Sequence, residues 1–420
     1  MQLIDGEPVY SATDLVGFLA CEHLTSLEVA AVAGLVERPD RVDPELDRIV
    51  QRGFQHEQRF LDERRAEGLR IAEIAEDKTD PDRGRRLRRA AEETHAAMEA
   101  GADVIYQATF FDGRWLGFAD FLRKVDAPSH LGPWSYEAWD TKLAHSTKGS
   151  AVLQLCLYTH LLAALQGLMP AQMHVALGGS ARTVDHLRVA DFAAYFRLVK
   201  AQFEDFAAQA AAAPAYPPAS RPDPVEHCDV CRWSLDCQRR RREADDLSLV
   251  AGITARQRRA LRERHVPTRT ALATLALPLE PRLEGTSAEA LQRVREQARI
   301  QVEGDATAPR LLYELIEPSR QADRTLAPDR GLLTLPPPSP GDLFFDIEGD
   351  PFAFEDGLDY LFGVLEPGLP ESAGADAADA ADAAHAADAA HGSGQGTFHT
   401  FWSLQGGRPG VDQLSVIPQR

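Results

Sequence analysis

Two groups of residues in this chain have the types and spacing for metal chemistry. The first is thiol. Cys228, Cys231 and Cys237 place three soft ligands within ten residues. Three thiolates held that closely carry a charge that is costly unless a metal offsets it. A tetrahedral site or a cubane needs a fourth ligand, and Cys21, far upstream, is the candidate. Cys156 lies on the apolar face of a predicted helix, where a small thiol packs as a hydrophobe. Structural zinc sites usually join two CxxC knuckles. One CxxC with a remote partner leaves zinc open and suits an iron–sulfur cluster at least as well. In either case the metal would act as a staple, not as a redox group.

The second group is acidic. Asp120 closes one predicted strand, and Asp140 and Lys142 close another twenty residues on. Side chains two apart on a strand share a face, so Asp140 and Lys142 point together and an Asp from a neighbouring strand can meet them. Two carboxylates and a lysine suit Mg²⁺ or Mn²⁺ with a bound water. The lysine would orient that water or neutralise developing charge. Gln154 and Tyr158, one turn apart on the following helix, can contact a backbone or a base. His56 on an earlier amphipathic helix can add an imidazole ligand.

These residues need a frame. The 420 residues suggest two to three domains, and 44% hydrophobic against 26% charged residues is a globular balance. A net charge of −19 excludes a basic coat protein for nucleic acid, though not an enzyme that acts on it. Nothing reads as a leader or a membrane span, and five cysteines make no disulfide scaffold. The expectation is a cytoplasmic chain with reduced thiols and no membrane partner.

Residues 11–100 read as helical, with Ser11 capping a helix that carries Leu15, Phe18 and Leu19 on one face. Val104 to Phe111, an Asp112-Gly113 turn, Trp115 to Val125 and Tyr136 to Lys142 read as strands. Helices over Leu153 to Leu165 and Val189 to Ala213 flank a short strand at His174 to Leu177. The predicted fold class is therefore α/β, with a first domain over 1–245. A small helical unit of helix–hairpin–helix spacing follows over 246–275. A helical and Pro-rich linker covers 276–340, and a further α/β segment covers 341–420, in which 372–396 is an Ala/Asp/His/Gly tract expected to be disordered. Ten Arg against six acids in 228–265 form a basic stretch that reads either as a solvated helix end or as a contact for nucleic-acid phosphates.

Taken in order, Cys21, Gly53-Phe54-Gln55-His56-Glu57, Gly117-Phe118-Ala119-Asp120, Asp140-Thr141-Lys142, Gln154 to Tyr158 and Cys228-x2-Cys231-x5-Cys237 resemble the RecB-like branch of the PD-(D/E)XK nucleases. Within it they resemble the iron–sulfur subgroup that includes the CRISPR-associated exonuclease and certain helicase–nuclease domains. The resemblance covers about residues 10–240. It implies a restriction-endonuclease-like core with helical additions. It also implies metal ligation by Asp120, Asp140 and His56, a catalytic Lys142, a following motif in Gln154 and Tyr158, and a [4Fe–4S] cluster on Cys21, Cys228, Cys231 and Cys237. Glu57 and Glu137 are nearby carboxylates left without a role. The acid at 140 is Asp where many relatives have Glu.

Leu343 to Asp350 resembles the first strand of an RNase H-like, DnaQ-type exonuclease domain, which implies metal carboxylates at Asp346 and Glu348. Tyr360 to Leu365 and Thr397 to Trp402 would be its next strands. The layout is similar to bacterial RecB-like nucleases that continue into a complete RNase H-like domain and a helicase. Here that second domain is expected to be incomplete, and no GxxxxGK[ST] phosphate loop occurs. The expected function is a metal-dependent deoxyribonuclease of DNA repair or recombination, acting on single strands or ends. The alternative is a non-catalytic nucleic-acid-binding or assembly subunit working with a helicase partner. A third reading, a zinc-stabilised protein whose activity lies in the RNase H-like part, ranks last.

Overall fold

The structure, a computed structural model, describes residues 1–41, 43–179, 181–280, 282–307, 309, 312–315, 320–321, 323–327, 331–337, 339, 341–350, 354, 357–366, 397–402 and 415–416. The tract 372–396 lies outside the described residues. The chain forms two compact units, one of Met1–Leu177 with Arg182–Leu315, the other of Gly178–Ala181 with Ile316–Arg420.

The first unit runs β1 (Gln2–Ile4), β2 (Glu7–Ser11), α1 (Ala12–Ala20), α2 (Glu22–Val32), α3 (Pro44–Ala66), β3 (Ile71–Glu73), α4 (Arg83–Glu99), β4 (Val104–Phe111), β5 (Trp115–Val125), β6 (Ser135–Lys142), α5 (Gly149–Gln166), β7 (Gln172–Leu177), β8 (Val184–Arg188) and α6 (Val189–Ala212). Then come α7 (Ser234–Glu243), α8 (Ala255–Glu263), α9 (Arg269–Ala273) and α10 (Ala288–Ala306). The eight strands form one mixed sheet in the order β1-β2-β5-β6-β7-β8, with β4 on the other edge of β5 and β3 beyond it. The architecture is mixed α/β. No helix among the described residues is long and apolar enough to cross a membrane.

Local chemistry sets the boundaries. Asp43 caps α3 by accepting the Leu46 N–H, with Pro44 just inside the helix. Asp82 caps α4 in the same way. Helix α5 is buried nearly all round and crosses from β6 to β7, so those two strands run parallel. It ends at Gly167 in the left-handed region, where a Cβ would fall 2.1 Å from the His130 ring. The main core joins Leu15 and Phe18 of α1, Leu153 to Leu162 of α5, and Phe196 and Phe203 of α6 to the sheet. A second cluster on the α3 side gathers Phe60, Leu61, Val104, Phe121, Trp139 and Ala176.

Several details depart from the sequence expectation. The stretch 11–100 is not helical throughout, because β3 lies within it, and the sheet begins before it with β1 and β2. Asp5 and Gly6, at φ +53 and +85, turn β1 into β2; this Asp-Gly pair is a hairpin signal. Leu19 is 46% exposed, so the buried face of α1 is narrower than expected. An eighth strand, β8, pairs antiparallel with β7. The helical unit also extends past 275: Leu291, Val294 and Ala298 of α10 share a core with Leu247, Leu261 and Leu272.

The second unit contains β9 (Phe344–Asp350), β10 (Leu358–Glu366), β11 (Thr397–Trp402) and β12 (Ser415–Val416), an antiparallel sheet in the order β12-β11-β10-β9.

Candidate active site and thiol centre

The acidic residues meet where the sheet is open. One edge of β5 pairs with β4 over most of its length. On the other edge Trp115 and Leu116 pair with β2 and Phe121 to Val125 pair with β6, which leaves Gly117 to Asp120 between the two ladders. The pleat slips at the same level. Ile105 and Ala108 of β4 both enter the main core, as do Ala119 and Leu122 of β5, while Tyr106 and Phe121 pack on the α3 side. A spacing of three on one face breaks the strand period of two, and Gln107 absorbs the slip at φ +56.

Asp120 and Asp140 stand one step past the Phe121–Trp139 pair that ends the β5–β6 ladder. Asp120 Oδ2 accepts the Thr141 N–H at 2.7 Å and the Thr141 hydroxyl at 2.8 Å. Asp140 is fully buried. Its Oδ2 lies 2.6 Å from Lys142 Nζ, and Gln154 Nε2 donates to its Oδ1 at 3.1 Å and to the Tyr158 hydroxyl at 3.0 Å. Burial first, then the charge of Asp120, pushes the Asp140 carboxyl up to about 7 against the pull of Lys142. Burial and the same two acids also raise the Tyr158 phenol. The Tyr158 ring lies over Gly117, where a Cβ would come within 2.9 Å of it. Glycine at 117 is therefore what lets the α5 motif approach the sheet.

On α3, Glu57 lies near enough to this pair to feel the charges of Asp120 and Lys142. Glu57 is buried, accepts a hydrogen bond from the Gln107 amide, and is raised by burial and then by the charge of Asp120. His56 aims Nε2 at the Ala176 carbonyl, 3.5 Å away. Glu137 lies farther back on β6 and pairs with His174 at 2.8 Å.

The donor set fits a hard divalent ion in kind. Two carboxylates oppose each other's charge, and beyond Lys142 the buried Asp140 Oδ2 has no hydrogen-bond donor among the described residues. Among the described residues no group of three or more His, Cys, Asp or Glu side chains, thiols included, is arranged to hold a metal ion. Water and a phosphate oxygen would supply the remaining positions.

The thiols meet on the other side of α1. Cys21 is the residue between α1 and α2, Cys228 sits in the 3₁₀ turn Glu226–Asp229, Cys231 follows, and Cys237 lies on α7. All four line one cavity of about 10 Å³, closed by Leu27 and Trp233. Burial raises the Cys21, Cys231 and Cys237 thiols, Cys237 to about 12, and the charges of neighbouring cysteines add to each. Cys156 lies apart in the main core. One further residue lines the cavity that the sequence reading overlooked. His23 is 4% exposed, and its Nδ1 meets Ser220 Oγ at 2.7 Å. Its Nε2 is buried without a hydrogen-bond partner among the described residues. Its position two residues after Cys21 is the signal that could have found it. Four thiols and an orphaned imidazole nitrogen suit a soft or borderline metal.

The basic stretch is partly paired within the fold, while Arg232, Arg242, Arg256 and Arg259 are exposed. Arg239 and Arg240 pair with Asp236, Arg241 is buried and donates to the Pro222 carbonyl, and Arg262 bridges Asp223 and Asp246. In the second unit Asp346 and Glu348 share one face of β9, a strand exposed along its whole length. No family model matches the chain, and no curated protein matches it.

Proposed function

We propose that the first unit is a PD-(D/E)XK nuclease core and that the protein is a metal-dependent deoxyribonuclease. The observation that carries this reading is the meeting of Asp120, Asp140 and Lys142 at the gap in β5, with Gln154 and Tyr158 of α5 against Asp140. Asp120 and Asp140 would hold Mg²⁺ or Mn²⁺, and His56 and Glu57 lie on the helix that covers them. The bound ion would lower the pKa of a water and offset charge on the phosphodiester. Lys142 orients the attacking water and neutralises charge that develops on the phosphate oxygens. Gln154 fixes the Asp140 carboxylate, and Tyr158 fixes Gln154. Cys21, Cys228, Cys231 and Cys237 would carry a structural [4Fe–4S] cluster that joins the start of the unit to α7.

Zinc is a second reading of the thiol centre, since four cysteines can also hold a single tetrahedral ion. In the second unit we propose an RNase H-like sheet with Asp346 and Glu348 as its first acids. The setting we propose is cytoplasmic, in DNA repair or recombination beside a helicase. The test is cleavage of end-labelled single-stranded and duplex DNA by anaerobically purified protein with Mn²⁺. Cleavage that stops on chelation and returns with Mn²⁺ supports the reading. DNA binding with no cleavage under any divalent ion would overturn it in favour of a binding or assembly subunit.

A further inference from the structure

Across β7 and β8, His174 and His186 are directly paired residues of an antiparallel ladder. Their Nδ1 atoms face each other at 2.7 Å. Behind them, His174 Nε2 meets Glu137 Oε2 at 2.8 Å, and Glu137 Oε1 accepts the Gln172 N–H at 3.0 Å. His174 is 3% exposed and stacks on Trp139 with centroids 4.2 Å apart, whereas His186 is open to solvent on the edge strand.

For neutral rings the hydrogen bonds select one tautomer each. Glu137 can only accept, so His174 carries its proton on Nε2 and turns the Nδ1 lone pair toward His186. A carboxylate that orients an imidazole in this way is the outer partner found behind metal-bound histidines, where it sets the tautomer and raises the basicity of the ligand. With both rings neutral, the His186 Nδ1–H donates to His174 Nδ1. A metal ion bound to both nitrogens at about 2.0–2.1 Å would need them about 3.3 Å apart at a tetrahedral angle. That is an opening of about 0.6 Å, within reach of the exposed His186 ring.

We propose that His174 and His186 form a cross-strand site for a borderline divalent ion such as Zn²⁺ or Ni²⁺, bound through both Nδ1 atoms, with Glu137 as the orienting carboxylate and water in the remaining positions. Imidazole pairs select such ions over Mg²⁺. The site is separate from both the acidic pair and the thiols, and it holds whether or not the chain is a nuclease.

Trp139 supplies the readout, because a bound paramagnetic Ni²⁺ would quench the indole stacked on its ligand. Protein with its thiol centre filled is titrated with Ni²⁺ alone and followed by tryptophan fluorescence. The expected result is a saturable quench of one equivalent that disappears in His186→Ala, a surface change that leaves the fold intact. Glu137→Gln should weaken binding by 10-fold or more. A quench of unchanged size and midpoint in His186→Ala would overturn the proposal, as would no quench in the wild type.

Discussion

Thr141 on β6 donates both its N–H and its hydroxyl to one oxygen of Asp120, at 2.7 and 2.8 Å. This contact crosses the point where β5 and β6 part. It continues the ladder with a side chain where the backbone no longer pairs, and it fixes Asp120 beside Asp140. Thr141→Val keeps the shape and the backbone bond but removes the hydroxyl. A hydrogen bond to a charged group is worth about 1.5–3 kcal/mol. The variant should lose about 10-fold or more in Mn²⁺-dependent cleavage with an unchanged circular dichroism spectrum.

Gly117 is under the Tyr158 ring, and a methyl group there would meet it at 2.9 Å. Overpacking of this kind costs about 1–3 kcal/mol and moves the intruded side chain. Gly117→Ala should therefore lower both melting temperature and cleavage, since Tyr158 holds Gln154 and Gln154 holds Asp140. Gly149→Ala, where a Cβ meets nothing within 4 Å, should change neither. Equal behaviour of the two variants would remove this role for Gly117.

The Asp140 carboxyl, pushed up to about 7 by burial and by Asp120, makes a prediction in pH. A group that holds its proton more tightly when folded costs nothing below about pH 4, where both states are protonated. The cost grows as pH rises and levels off above about 7. With no divalent ion added, Asp140→Asn should match the wild type at pH 4 and exceed it at pH 8, by up to a few kcal/mol. Mn²⁺ should then stabilise the wild type and not the variant. Urea unfolding at the two pH values measures this.

How much of the site was legible follows from which rules held. The period of two on β6 put Asp140 and Lys142 on one face, and the ion pair is there. The apolar run of α5 and the Asp112-Gly113 turn were readable for the same reason: local pattern and burial agree. The slip at Gln107 was not readable, because a left-handed glutamine at a pleat fault has no composition signal, yet it falls between the Tyr106–Phe121 and Ala108–Ala119 pairs, across from Asp120. The choice between His56 and Glu57 depends on the rotation of α3, which packing sets through Phe60 and Leu61. Of the arginines in the basic stretch, Arg241 of α7 and Arg262 of α8 looked free in sequence because their partners, Pro222 and Asp223, come from a loop that only the fold brings near.

The thiol centre separates its cysteines from the fifth. Cys237→Ser should reduce metal content to background and lower the melting temperature. Cys156→Ser, in the main core, should leave metal content unchanged. His23→Ala should weaken metal retention against a chelator by about 10-fold or more, as loss of a ligand or of its outer partner does. Iron, sulfide and zinc analysis of the three variants decides each point, and matching iron and sulfide in the wild type distinguishes a cluster from zinc.

The central claim is that Asp140 and Lys142 work on a phosphodiester. Its most direct measurement is single-turnover cleavage of end-labelled DNA by wild type and Lys142→Ala at saturating Mn²⁺, with DNA affinity and metal content measured on the same samples. Lys142→Ala should lose at least about 100-fold in rate, the scale of a removed transition-state donor, with affinity, metal content and fold unchanged. Cleavage by Lys142→Ala at the wild-type rate would contradict it.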